Sequence, residues 1–190
     1  MEISFRDIIT VLHGMGFGAL FMLAFSGAIG VIYATAVVGP HWPRSSHHTA
    51  MFRFYLVSMA ILAWLTTLSG AYIVYPWYRA VAPAGTRDLS GYPRQLLLSS
   101  PKTAGWHDLG MEWKEHIAWL TPIAMTMVAY VFIKYGPTLA LHRHMRNAVL
   151  AFTVVAFFST AVAGAFGAFL NKYAPVRGGN EIVLFQERPS

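Results

Sequence analysis

Four long runs of the chain contain no Asp, Glu, Lys or Arg, and they constrain its fold more than any other feature. They cover roughly residues 8–38, 54–74, 117–133 and 148–170. Each run is close to or above the ~17 residues that a helix needs to cross a hydrocarbon core of ~30 Å. Because lipid offers no partner to backbone amides, such segments are helical inside a membrane. The sequence therefore predicts four membrane-spanning helices.

The composition agrees with a membrane protein. Hydrophobic residues make up 56% of the 190 residues and charged residues only 12%, with a mean hydropathy of +0.48. An ordinary soluble domain is less apolar and more charged. The chain contains no cysteine, which excludes disulfides, thiolate metal sites, cysteine-ligated iron–sulfur clusters and covalently attached haem. The N-terminus lacks a typical cleavage site, so the first helix is expected to remain.

The chain has a net charge of +6, but its charges are unevenly distributed. This distribution predicts a membrane topology and not a nucleic-acid partner. The first and third connections between the runs hold five bases and no acid, whereas the rest of the chain holds nine bases and eight acids. The positive-inside rule places these two connections in the cytoplasm. Both termini are then expected outside, in the periplasm of a bacterium whose inner membrane holds the protein.

The predicted fold is all-α, an integral membrane four-helix up-down bundle that forms one domain over residues 1–190. Its expected segments are helices at about residues 8–38, 52–78, 112–135 and 146–171, an outer loop at 79–111 and an outer tail at 172–190. The outer loop is rich in Gly and Pro, which disfavour a long helix. Within it, Leu96, Leu97 and Leu98 could touch the membrane surface or a neighbouring subunit.

His13 is the ionisable residue that lies clearly within an apolar run, and such residues at membrane depth usually mark a function. At ~100° per residue, its helix face continues through Gly16, Leu20, Ala24 and Gly27. All of these side chains except Leu20 are small, so the face can receive another helix or the flat face of a macrocycle. An imidazole at the head of such a face is expected of a helix that ligates haem iron.

His116 stands at the start of the third run, on the same predicted side of the membrane as His13. The depths of the two residues differ by about 9 Å at 1.5 Å per residue, unless the long first helix protrudes outward. A b-type haem with His13 and His116 as axial iron ligands is therefore compatible with the sequence. The alternatives are that His13 hydrogen-bonds to a neighbouring helix and that His116 is solvated or touches lipid headgroups.

The other histidines lie outside the apolar runs. Five of them accompany the basic connections, namely His41, His47, His48, His142 and His144. They could ligate a second haem, but contact with lipid headgroups or with an acidic partner is the expected role.

The stretch GMEWKEHIAWLTP places Glu112, Glu115 and His116 on one helix face, because residues three and four apart are neighbours. These groups could pass protons between a quinol and the outer water, or bind a metal ion together with His107. The simplest role of the two glutamates is to stabilise the N-terminus of the third helix through its dipole. Pro122 is expected to kink this helix shortly after His116.

Four helices, no cysteine and histidines near the outer ends of the first and third helices resemble the membrane-anchor cytochrome b subunits of respiratory oxidoreductases. The resemblance covers the architecture of residues 8–170 and rests on His13, His116 and the glycines of LHGMGFG. It implies a non-catalytic subunit of a respiratory or photosynthetic electron-transfer complex. Its cofactors would be haem b and a quinone near Glu112 or Glu115, and its partners would be the lipid bilayer and other subunits.

Two other classes of function are open to such a chain. A cofactor-free accessory subunit of a bioenergetic complex would bind its neighbours through small-residue faces such as Thr160, Gly164 and Ala168, and through the loop and tail. A transporter is disfavoured, because no acid lies mid-membrane and the sequence shows neither inverted repeats nor paired broken helices. The sequence also shows no nucleophile–base pattern that would indicate an independent enzyme.

Overall fold

A computed structural model of the chain describes residues 3–38, 46–136 and 138–174, and within these ranges the chain is helical without strands. Four helices in the described residues are long and apolar enough to cross a membrane, namely Phe5–Tyr33, His47–Tyr78, Pro101–Tyr135 and Arg143–Tyr173. The all-α class and the four predicted apolar helices are therefore confirmed. The tail beyond residue 174 and His41 lie outside the described residues.

The first long helix begins at Phe5, earlier than the predicted residue 8, because Ser4 and Asp7 form a capping box. The Ser4 hydroxyl accepts from the Asp7 N–H, and the Asp7 carboxylate accepts from the Ser4 N–H at 2.9 Å. This exchange satisfies backbone donors that a helix start otherwise leaves unpaired. The helix then continues to residue 38 through a π-helical segment, Leu12–Ala19.

The second long helix covers residues 46–78 and therefore begins before the predicted residue 52. It contains a second π-helical segment, Gly70–Val74, and ends with the α-helical turn Tyr75–Tyr78. The fourth long helix, Arg143–Tyr173, is α-helical throughout and extends the predicted range 146–171 by a few residues.

The predicted outer loop is irregular up to residue 92 and mostly helical from Pro93 onward, and we call residues 79–111 the cap. It contains the short helix Pro93–Leu98, after which the third long helix begins at Pro101 and not at residue 112. The Ser100 hydroxyl accepts from a backbone N–H of the first turn, and proline is favoured at the first helical position. These local signals start a helix in a segment that its glycines had predicted to be irregular.

A small apolar core fixes the cap to the long helices, and its buried members are Tyr78, Leu97, Met111, Leu170 and Ala174. Leu97 is completely buried in this core, so it does not contact the membrane surface or a neighbouring subunit. Leu96 is partly buried, and Leu98 alone of the three leucines is exposed. Trp106 adds a stacked contact with Phe169, with ring centroids 4.6 Å apart. The cap is therefore an ordered part of the fold.

Ring contacts show that the first and second long helices run in opposite directions, and so do the third and fourth. Phe5, at the start of the first helix, contacts the ring of Trp77, near the end of the second, with centroids 6.5 Å apart. Trp106, in the first turns of the third helix, stacks on Tyr173, at the end of the fourth, with centroids 5.8 Å apart. The cap joins the second helix directly to the third. The half of the molecule that includes these ends is called the cap half, and the opposite half is called the far half.

The far half encloses the larger apolar core, to which all four long helices contribute. Its buried side chains include Phe21, Ile32, Leu56, Met125 and Ala156. Phe25 stacks on Phe157 with centroids 4.1 Å apart, and Phe52 meets Phe132 edge to face at 4.8 Å. This core holds the four helices together at the end away from the cap.

Candidate functional site

Three π-helical segments lie in the cap half, namely Leu12–Ala19, Gly70–Val74 and Trp106–Met111. In the far half, the described parts of the long helices contain no π-helical segment. A π-helical segment interrupts the α-helical hydrogen-bond pattern, and such segments are frequent at functional sites. The first contains His13 and the third contains His107. Two of the three π-helical segments therefore contain histidines that the sequence predicted to be functional, His13 and His107.

His13 lies between the first and second long helices, with its side chain largely buried. Its Nδ1 is 3.1 Å from the Ser69 hydroxyl oxygen. That hydroxyl donates its own proton to the Thr66 carbonyl at 3.1 Å, so it accepts from an N–H at Nδ1 of His13. In the neutral ring, this tautomer leaves the lone pair on Nε2. Nε2 is then the nitrogen available to a metal ion or a proton.

Gly70 provides the space that the His13 ring occupies. A Cβ atom added at Gly70 would lie 2.7 Å from Cε1 of His13 and 3.3 Å from Nε2. The first two long helices can therefore approach each other at this level only because residue 70 has no side chain. Small residues that allow close approach are typical of helix contacts in membranes.

Lys114 reaches the same region from the third long helix, and the sequence analysis did not single it out. Its ammonium group is buried, and Nζ donates to the Ala163 carbonyl of the fourth helix at 3.3 Å. A Cβ atom added at Gly167, one turn further along, would lie 3.1 Å from Nζ. The ammonium also lies near enough to His13 for the two groups to interact electrostatically.

Each long helix contributes to these residues, of which Ala163 is buried and the others are half-buried. We call the group the polar centre, and it consists of His13, Ser69, Gly70, Lys114, Ala163 and Gly167. Polar side chains inside a bundle of apolar helices are costly to bury and usually serve a function. The polar centre is therefore the best candidate for a functional site in the described residues.

The glutamates beside Lys114 in the sequence face other side chains. The Glu112 carboxylate pairs with His116, with Oε2 3.4 Å from Nδ1, and both side chains are about two-thirds exposed, at 64% and 68%. The Glu115 carboxylate lies close to the hydroxyl of Tyr75. Among the described residues, Lys114 therefore has no carboxylate partner.

His116 and Glu112 contact each other, as the predicted shared helix face implied. Besides the carboxylate, the Glu112 carbonyl lies 3.0 Å from Nδ1 of His116. In the described part of the chain, no hydrogen bond, ring contact or ion pair joins His116 to His13. Shared haem ligation by the two histidines stays a prediction.

The small-residue face of the first helix is used in part for packing against the second. The Tyr55 hydroxyl donates to the Ala24 carbonyl, and a Cβ atom added at Gly27 would lie 2.7 Å from that hydroxyl. Leu20 is 51% exposed, and it is not part of this contact. Helix packing thus explains the lower part of the face, while the predicted cofactor contacts of Gly16 and Leu20 stay predictions.

Glu112 and Glu115 follow the third π-helical segment and lie inside a helix that begins at Pro101. The dipole role predicted for the pair needs a free helix N-terminus, and the turns from residue 101 to 111 occupy that place. Their predicted roles in proton relay and near a quinone are unaffected and stay predictions. The turn Ile117–Trp119 is a 3₁₀-helix, which is an irregularity where Pro122 predicted one.

The His107 side chain contacts Tyr78 at the end of the second long helix. Its Nδ1 lies 2.7 Å from the Tyr78 hydroxyl oxygen, and the two rings are in contact. Among the described residues, no group of three or more His, Asp or Glu side chains could hold a metal ion. The described residues thus do not bring His107, Glu112, Glu115 and His116 together as a metal-binding group, and the metal site stays a prediction. Haem iron needs only two axial ligands from the protein, so the predicted haem site does not depend on a group of three such side chains.

The described histidines of the far half are exposed at the helix starts. The rings of His47 and His48 are 6.1 Å apart at the start of the second long helix, and His142 and His144 lie at the start of the fourth. Their predicted contact with headgroups or an acidic partner stays a prediction.

Comparison with known proteins found no matching family model, no similar curated protein and no similar solved structure. The functional interpretation therefore rests on the geometry of the polar centre.

Proposed function

We propose that the chain is an integral membrane subunit of a respiratory or photosynthetic electron-transfer complex, where it binds a b-type haem and is linked to a quinone. The observation that carries the proposal is the half-buried His13 ring, whose Nδ1 lies 3.1 Å from the Ser69 hydroxyl oxygen. Because that hydroxyl donates to the Thr66 carbonyl, we assign the lone pair of the ring to Nε2. A hydrogen bond that fixes the tautomer and the orientation of the ring is typical of metal-ligating histidines.

The exposed surface supports insertion in a bilayer as a four-helix up-down bundle. Each long helix exposes large apolar side chains, for example Leu23 at 77%, Phe54 at 74%, Ile123 at 54% and Phe158 at 61%. Water disfavours extended apolar patches, whereas lipid covers them without cost. The basic far-half connections favour the cytoplasm. In this proposal, the cap and both termini lie outside the inner membrane of a bacterium.

The donor chemistry of both predicted ligands fits haem iron. The second proposed ligand is His116, whose Nδ1 is engaged by the Glu112 carbonyl and whose Nε2 is available, as in His13. A bound haem supplies one-electron transfer. In this proposal, Gly16 and Leu20 contact the macrocycle.

The glutamates of the third helix are proposed to exchange protons between the quinone and water. Glu112 is mostly exposed, whereas Glu115 is half-buried beside Tyr75. The pair therefore extends from the interior to the surface. A carboxylate in such a position can give up and take back a proton.

A second candidate function is a cofactor-free accessory subunit of a bioenergetic complex. Gly164 and Ala168 of the fourth helix are exposed, and a Cβ atom added at Gly164 would meet no atom within 4 Å. The described part of the chain thus leaves this small-residue face uncovered. Such faces pack against the helices of other membrane proteins.

A reduced-minus-oxidised absorbance spectrum distinguishes the two functions. The complex is purified from native membranes through the tagged chain, as wild type and as His13→Ala. We expect b-type α and Soret bands in the wild type and their loss in His13→Ala, because an axial ligand is removed. The exposed His144→Ala is the matched control and should keep the bands. A wild-type spectrum without these bands contradicts haem binding, and an unchanged His13→Ala spectrum and electron transfer favour the accessory subunit.

A further inference from the structure

The ammonium group of Lys114 makes fewer hydrogen bonds in the polar centre than it has N–H donors. An ammonium group has three N–H donors, and in the described residues only the Ala163 carbonyl accepts from it, at the long distance of 3.3 Å. Glu112 and Glu115, the nearest acids in the sequence, face other side chains. A buried charge without a counter-charge or full hydrogen bonding destabilises the fold. The ammonium group of Lys114 can therefore donate a further hydrogen bond to another acceptor.

The fourth helix accommodates the ammonium group through one particular glycine. A Cβ atom at Gly167 would lie 3.1 Å from Nζ, whereas a Cβ atom at Gly164 would enter open space. The position of Nζ therefore depends on residue 167 and not on the nearby glycine. This difference provides a matched pair of substitutions for testing the site.

The third and fourth long helices, which hold the ammonium group, also meet through aromatic rings. Trp113 precedes Lys114, Phe166 precedes Gly167, and the two rings are in contact with centroids 6.3 Å apart. The Trp113 indole N–H donates to the Ser159 carbonyl at 3.5 Å, which orients the ring. Apolar and aromatic surfaces with a single charged donor are typical of sites that bind small ring-bearing molecules.

We propose that Lys114 is the donor of a binding site for the acceptor oxygen of a lipid-soluble ligand, either a quinone carbonyl or a fatty-acid carboxylate. The inference rests on the proposed function, in which the chain lies in a membrane and is linked to a quinone. It assigns the hydrogen bond to the quinone carbonyl to Lys114, whereas Glu112 and Glu115 keep their proposed role in proton exchange. A charged donor forms its strongest hydrogen bonds where water is excluded.

Direct binding tests the site. The full chain is placed in phosphatidylcholine nanodiscs and titrated with a short-chain ubiquinone, a short-chain menaquinone and decanoate, with quenching of tryptophan fluorescence as the signal. We expect the wild type to bind at least one probe. Lys114→Met should weaken this binding about ten-fold or more, because the charge-assisted hydrogen bond is lost. Lys172→Met removes an exposed lysine and should leave the affinity unchanged.

A second pair of variants keeps the charge of Lys114, and one of the two is expected to displace its Nζ atom. Gly167→Ala brings a Cβ atom against Nζ and should weaken binding several-fold, whereas Gly164→Ala should bind as the wild type does. This pair tests the site even where Lys114→Met does not fold.

The probes also identify the ligand. Loss of quinone binding in Lys114→Met and Gly167→Ala assigns the site to a quinone, and loss of decanoate binding alone assigns it to a fatty acid. The proposal is overturned if the wild type binds no probe, or if either variant folds and binds as tightly as the wild type. These outcomes do not depend on haem, whose spectrum is measured separately with His13→Ala.

Discussion

The far half and the cap half are built from the same four helices, but they are held together differently. In the far half the helices are regular and meet through apolar side chains such as Leu56 and Met125. In the cap half π-helical segments interrupt the helices, and the polar groups of His13 and Lys114 are buried between them. The difference indicates that the far half supplies stability, which allows the cap half to hold groups that are costly to bury.

The largest expected effect is in the far half. Leu56 is completely buried, so Leu56→Ala should lower the free energy of unfolding by about 2–5 kcal/mol through lost contacts and a cavity. Denaturant unfolding in mixed micelles measures the change. Leu23→Ala, at a site 77% exposed, is the matched control and should have little effect. Equal losses in the two variants would mean that the far half does not act as a core.

An intermediate effect is expected in the cap half, where the first and second long helices approach each other at Gly70. Gly70→Ala would place a Cβ atom 2.7 Å from Cε1 of His13, so the ring or the helix must move. Overpacking of this kind should lower stability by about 1–3 kcal/mol and shift the ¹⁵N resonances of the His13 ring. Gly14→Ala meets no atom within 4 Å and should leave both unchanged or raise stability slightly. An unshifted His13 spectrum in Gly70→Ala would contradict the close approach.

The smallest effect should come from one hydrogen bond in the cap half. Ser69→Ala removes the acceptor of the His13 Nδ1 proton and should lower stability by about 1 kcal/mol. The ¹⁵N shifts of the ring should change from one tautomer to a mixture. Ser26→Ala is the control, because the Ser26 hydroxyl donates only to the Leu23 carbonyl of its own helix. A single tautomer in Ser69→Ala would show that another group fixes the ring.

The helices of the far half could be predicted well from the sequence. Long runs without charge restrict the backbone to helices, and they do so whatever the neighbouring residues are. The start of the first helix could also have been read from Ser4 and Asp7, whose spacing is that of a capping box. Pro101 after Ser100 carries a similar signal for the third helix, but the glycines around it predicted a loop.

The polar centre could not be predicted in the same way, because its contacts join residues far apart in the sequence. His13 was identified by its position in an apolar run, but its partners Ser69 and Gly70 depend on which faces of two helices meet. Lys114 was not predicted, because the ionisable pattern in this stretch lies on the helix face that carries Glu112 and His116. At ~100° per residue, Lys114 points to nearly the opposite side of the helix, and this was the signal that could have identified it.

The acceptor of Lys114 has a consequence for biosynthesis. The Ala163 carbonyl and the space at Gly167 belong to the fourth long helix, whereas Lys114 lies near the start of the third. Synthesis proceeds from the N-terminus, so about fifty residues must be added after Lys114 before the Ala163 carbonyl is present to accept from its ammonium group. Until then the emerging chain carries an unsatisfied charge, and burial of Lys114 marks the moment at which the last helix has docked.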